Sequence, residues 1–124
     1  MTAPNIVNVA TITGKTTTTS LTTTASTSIV SNAASSNTVV KVNTVIVSNT
    51  DGTNAVNFTL SYNSAAAGGG TDSQMASTIS VPANATLIAL DKSTALYLEE
   101  NTSLTGLAGT ASKLKVTVSY EIIA

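Results

Sequence analysis

The 124-residue chain predicts an all-β domain, an antiparallel β-sandwich preceded by an extended N-terminal arm, and three observations carry that reading. The first is the stretch from Leu114 to Ile123. Leu114, Val116, Val118, Tyr120 and Ile122 fall on one face and Lys115, Thr117, Ser119 and Glu121 on the other, the period-two pattern of a strand that covers a core and shows its back to water. The second is a run of about seven short apolar segments between residues 31 and 124, with turn signals about every eight to twelve residues and no sustained helical periodicity. The third is composition: Thr supplies roughly a fifth of the chain, and Thr, Val and Ile share a branched Cβ that suits a pleated sheet better than a helix. An immunoglobulin-like or jelly-roll-like topology follows, with the strand order open.

Taken in order, residues 5–13 can be extended, with Val7 and Val9 on one side and Ile6 and Ile12 on the other. Gly14 and Lys15 interrupt this pattern, and Thr16 to Ser28 is a tract of Thr, Ser and Ala in which Leu21 is the one sizeable apolar side chain. Alone, the tract buries too little to offset the entropy of ordering it. It reads either as a disordered linker or as an extended arm that takes strand geometry once a neighbour supplies an edge. We therefore expect residues 1–30 to form an arm, with Ile6, Val7, Val9, Ile12 and Leu21 as its candidate assembly contacts, and residues 31–124 to form the sandwich.

Within the sandwich, Thr38 to Val47 is a long strand whose apolar face switches between Val42 and Val45, which a bulge near Asn43 and Thr44 would realign. Asp51-Gly52 tolerates the positive φ of a tight hairpin, so Ala55 to Tyr62 is expected to be the partner strand, with Val56, Phe58, Leu60 and Tyr62 on one face. Ala65 to Gly70 reads as a flexible loop. Met75 to Val81 is a strand with Ile79 and Val81 inward, ended by a turn at Pro82. Short strands follow at Thr86 to Leu90 and Ala95 to Leu98. Glu99 to Thr102 is a turn with both carboxylates solvated, and Ser103 to Thr110 is a strand in which Gly106 and Gly109 mark a bulge or a close backbone approach.

Composition excludes several function classes. The chain has no His, Cys, Trp or Arg, so the usual catalytic triads, thiol nucleophiles and thiolate or imidazole metal sites cannot be built, and no cofactor is implied. Five lysines face six acids for a net charge of −1, which offers no basic patch for nucleic acid. Asn49 to Asn54 lacks the repeated acids of a calcium loop, and Gly68-Gly-Gly70 is followed by neither Lys-Ser/Thr nor a helix, as a phosphate cradle requires. No window approaches a membrane span, and the opening residues lack a secretory pattern, so synthesis in a cytoplasm without export is expected. Only 9% of residues are charged, far below the usual quarter, and such a surface is poorly defended against association. A protein that lives in an assembly, including a homo-oligomer, is the expectation.

Three stretches together resemble a family. Ile79 to Lys92 with its Val-Pro-Ala turn, the Leu-Tyr-Leu-Glu-Glu run within Leu96 to Leu104, and the terminal Ser-Tyr-Glu strand within Lys113 to Ile122 are similar to a small all-β virion protein of tailed bacteriophages of the marine and cyanobacterial type. The resemblance covers about residues 38–123. It implies a non-enzymatic structural component of the virion, with the major capsid protein or neck and tail proteins as partners. A capsid decoration or cement protein, clamped through the N-terminal arm, is the first expectation. A neck, collar or tail-fibre module is the alternative, and a carbohydrate-binding adhesion module, drawing on Tyr62, Tyr97 and Tyr120, a further one.

Overall fold

The computed structural model describes residues 10–124, and among them nine strands and two single-turn 3-10 helices. The strands are β1 (Ile12–Ser20), β2 (Thr27–Asn32), β3 (Val39–Asn49), β4 (Val56–Asn63), β5 (Asp72–Val81), β6 (Thr86–Leu90), β7 (Leu96–Leu98), β8 (Thr102–Ala108) and β9 (Leu114–Ile123). They form two antiparallel sheets. One runs β1-β9-β3-β6, with β7 also paired to β3, and the other runs β2-β8-β4-β5. The first strand thus lies beside the last and the second beside the next to last. With β6 and β7 sharing one position, this is the pairing order of a jelly roll, the second of the two topologies expected.

The core lies between the sheets because each long strand turns alternate apolar residues inward. Val40, Val42, Val45 and Val47 of β3 meet Val116 and Val118 of β9 on one side, and Val56, Phe58 and Leu60 of β4 meet Leu104 and Ala108 of β8 on the other, all buried. The register of β3 against β9 shifts between Val42 and Thr44, and this bulge at Asn43 brings both halves of β3 onto the core face. Two buried asparagines bind the sheets together across their ends. Asn32 Nδ2 donates to the carbonyls of Thr38 (2.9 Å) and Leu98 (3.0 Å), and Asn49 Nδ2 donates to those of Asn54 (3.0 Å) and Val81 (3.0 Å). Both side chains are almost fully buried, and the bonds to Leu98 and Val81 satisfy carbonyls in buried surroundings.

Several expectations change. The tract expected as an arm is part of the sandwich: residues 12–20 are β1, Leu21 is in the core at 1% exposure, and the boundary drawn at residue 30 falls inside β2. The main-chain ladder to β9 supplies the order that the Thr side chains lack. Asp51-Gly52 does not turn a hairpin, because β3 and β4 belong to opposite sheets. Gly52 is not at positive φ, and Asp51 Oδ1 accepts instead from the backbone N–H groups of Thr53 (2.8 Å) and Asn54 (3.2 Å). In β5 Val81 is buried but Ile79, although in register with Phe58, is 39% exposed, because β5 is the edge of its sheet and no further strand flanks it.

The Ala65 to Gly70 loop is held, not free. Its 3-10 turn at Ala66–Gly68 lies on the outer face of the second sheet, where Ala66 N–H donates to Asn101 Oδ1 (3.1 Å), Ala67 N–H to Ser31 Oγ (2.9 Å) and Gly68 N–H to Ser103 Oγ (3.0 Å). Glu99–Glu100 does lie at a turn. Glu100, however, has both carboxylate oxygens buried with no hydrogen-bond partner, contrary to the solvated pair expected. Gly106 is a close approach, as expected: a Cβ there would stand 2.6 Å from Ile29 Cδ1 and 3.1 Å from Phe58 Cε1.

Candidate assembly interface

Strand β1 ends the first sheet, and its construction decides what that end can do. It pairs with β9 without a register shift over its whole length, from Ile12 opposite Ile123 to Ser20 opposite Lys115. The ladder continues past both ends. Thr11 exchanges bonds with Ala124 (3.2 and 3.0 Å), and Leu21 N–H donates to the Leu114 carbonyl (3.0 Å). In an antiparallel pair, bonded residues alternate. With Thr11 and Leu21 bonded to the β9 side, Thr13, Lys15, Thr17 and Thr19 are bonded there as well. Ile12, Gly14, Thr16, Thr18 and Ser20 therefore turn both N–H and C=O outward, away from the sheet.

The side chains leave that edge open. None of the nine residues of β1 is buried, and most are exposed. Thr13, Lys15, Thr17 and Thr19 share the core-side face with Ile122, Tyr120, Val118 and Val116, while Ile12, Gly14, Thr16, Thr18 and Ser20 share the outer face. Across β9, between β1 and the β3 bulge, there is an open depression of about 480 Å³, lined by Gly14, Lys15, Asn43, Tyr120 and Glu121 among others. On its floor Asn43 Nδ2 donates to Glu121 Oε1 at 2.9 Å, and Asn43 Oδ1 is buried without a partner. This is an amide–carboxylate pair in a depression that Lys15 and the hydroxyl residues Thr16 and Ser119 also line.

The carboxylates with perturbed titration serve loops. Asp72 is held below the usual carboxylate range by Asn63 Nδ2 (2.7 Å), then by the hydroxyls of Thr105 (2.8 Å) and Ser26 (3.0 Å). Asp51 is lowered by the backbone N–H groups of Thr53 and Asn54, and Asp91 by the Ser93 side chain and backbone. Among the described residues no group of three acids converges as a metal site would need. The tyrosines are dispersed: Tyr97 is 43% exposed, whereas Tyr62 and Tyr120 are half-buried against the core.

Of the candidate assembly residues, Ile6, Val7 and Val9 lie outside the described residues. Ile12 opens β1 and is 56% exposed, and Leu21 is buried, so these two do not share a surface. Side-chain reasoning missed the backbone of Thr13 to Ser20. Its signal was the run of four β-branched residues from Thr16 to Thr19, which no apolar alternation accompanied.

No protein-family model matches the chain, and no curated protein matches it. Among solved structures, a chain from the disulfide-linked pili of Bacillus endospore appendages is similar at 18% identity and a TM-score of 0.48, over 91% of this chain and 87% of that one.

Proposed function

We propose that this chain is a non-enzymatic structural subunit of a tailed-phage virion, a capsid decoration protein that assembles through its N-terminal side. The observation that carries the reading is β1, a regular strand at a sheet end that pairs, among the described residues, with β9 alone and turns its other row of N–H and C=O groups outward. Such an edge is a template for another strand, and proteins that stay single blunt it with charges, prolines or bulges. Here one lysine is the sole charge on β1, and there is no proline. The low overall charge and the virion resemblance across β3 to β9 support the same reading. On the particle, the subunits so assembled lie on the major capsid protein. The glycan alternative draws on one exposed ring, Tyr97, without a second to flank it.

The test is the copy number of this chain in purified particles, measured by quantitative mass spectrometry against the major capsid protein. A fixed ratio near that of the capsid lattice is expected. A small count far below it would place the chain in the neck or tail, and absence from particles would overturn the virion reading.

A further inference from the structure

The sheet ends of this sandwich are not equivalent. Strand β5 is a poor template, because its register against β4 shifts twice and Thr78, within it, stands at a φ of 52°. The β6–β7 edge is broken by the 3-10 turn at Lys92–Thr94 and shifts between Val45 and Ile46 of its partner. Strand β2 has six residues and a shift between Ser28 and Val30. Each of these devices interrupts the repeat that an added strand would need. Strand β1 carries none of them.

Resting on the reading of β1 as the assembly edge, we propose that its partner is β1 of a second copy, paired antiparallel across a two-fold axis with Thr16 opposite Thr16. Three features of the strand select this arrangement. Thr16 is the midpoint of Ile12–Ser20, so a two-fold there overlaps the strands completely. It is also one of the outward-facing residues, so the register matches Ile12 to Ser20, Gly14 to Thr18 and Thr16 to itself, and about ten backbone hydrogen bonds satisfy every outward group. A two-fold on Lys15 would leave Ser20 beyond the end of the partner strand and set Lys15 against Lys15, and one on Thr17 would leave Ile12 beyond it.

The third feature is charge. In the Thr16 register, Lys15 stands opposite Thr17 of the second copy, so the one charge on the strand does not meet its equivalent. Thr16 meets Thr16 and Thr13 meets Thr19, a favourable cross-strand combination, and Gly14 leaves room beside Thr18: a Cβ at Gly14 would find no atom within 4 Å. Because the contact is isologous it closes on itself, and the sheet becomes continuous through the dimer without growing into a filament.

The 124-residue chain has no cysteine, so single-cysteine variants report the register directly. The unaltered protein is expected to sediment as a dimer of the 12.4 kDa chain, and Thr16→Cys to form an intermolecular disulfide on mild oxidation. Thr18→Cys is expected to stay unlinked, because the two copies of residue 18 lie about 14 Å apart along the strands, beyond disulfide reach. Thr16→Pro removes an outward N–H and should give a folded monomer, whereas Thr17→Pro removes a bond to β9 and should lower the melting midpoint.

A monomeric unaltered protein, a dimer that survives Thr16→Pro, equal cross-linking at positions 16 and 18, or larger oligomers would each overturn the proposal. A monomer found on particles strikes this inference alone. A dimer absent from particles supports it and strikes the virion reading alone.

Discussion

Leu21→Ala separates a folded strand from a loosely attached arm. Leu21 follows β1, is 1% exposed, and belongs to the core cluster with Val116, Phe58 and Leu104. Its N–H donates to the Leu114 carbonyl, and its own carbonyl accepts from Ser112 N–H at 2.8 Å, so the backbone cannot easily shift to fill a vacated space. Truncating a buried leucine costs about 2–5 kcal/mol, rising with the cavity left behind, and a site braced on both sides belongs near the middle, about 3 kcal/mol. For a chain of this length each kcal/mol moves the melting midpoint by about 4 °C, so a drop of about 12 °C is expected. Thermal unfolding followed by circular dichroism, with urea unfolding at fixed temperature as a second measure, is the assay. Thr22→Ala, at an exposed neighbour, is the control and should stay within about 0.5 kcal/mol of the parent. A Leu21→Ala protein that melts with its parent would refute the placement of this tract in the core.

Asn49→Ala should cost about 2 kcal/mol, or about 8 °C, because it orphans the buried carbonyl of Val81 and frees the Asn54 and Asp51 backbone; the same unfolding measurements read it. Gly106→Ala should lose about 1–3 kcal/mol by forcing Ile29 and Phe58 apart, and a neutral effect would contradict the close approach there. Asp72→Asn should lower stability at neutral pH. The folded-state carboxyl titrates below its ordinary value, so its contribution is complete above the ordinary carboxylate range and is lost as pH falls through the depressed value. Stability measured against pH should accordingly show the gap between parent and variant closing in acid, and a constant gap would show that ionisation of Asp72 is not involved.

What could be read from the residues followed from whether side chains alone encode it. Strand β9 was legible because five apolar residues alternate with polar ones, and the β3 bulge because Val40 and Val42 cannot share a face with Val45 and Val47 in a regular strand. Strand β1 was not, because Thr-Thr-Thr-Thr has no inward and outward sides to contrast, and its order comes from backbone pairing with residues about a hundred positions later. The Asp51-Gly52 turn misled because the local chemistry of a hairpin also serves a crossing between sheets. The path of Ala65 to Gly70 depends on Ser31, Asn101 and Ser103, three distant polar side chains that no local pattern links to a run of alanines and glycines. At the candidate interface, the low charge and β-branched composition pointed to association, while the atoms that would make it belong to the main chain.

The neighbouring positions of β1 and β9 also order events in time. During synthesis the N-terminal tract emerges first, yet it has no ladder until residues 114–123 have left the ribosome. The fold is dominated by such long-range pairings, which places it among slow folders, on the scale of milliseconds to seconds. A nascent or truncated chain lacking β9 lacks the strand that holds β1 and that fills the centre of the first sheet. The outward edge of β1 is consequently displayed as a regular template only by a chain translated through β9, and pairing through that edge would itself select against chains that lack it.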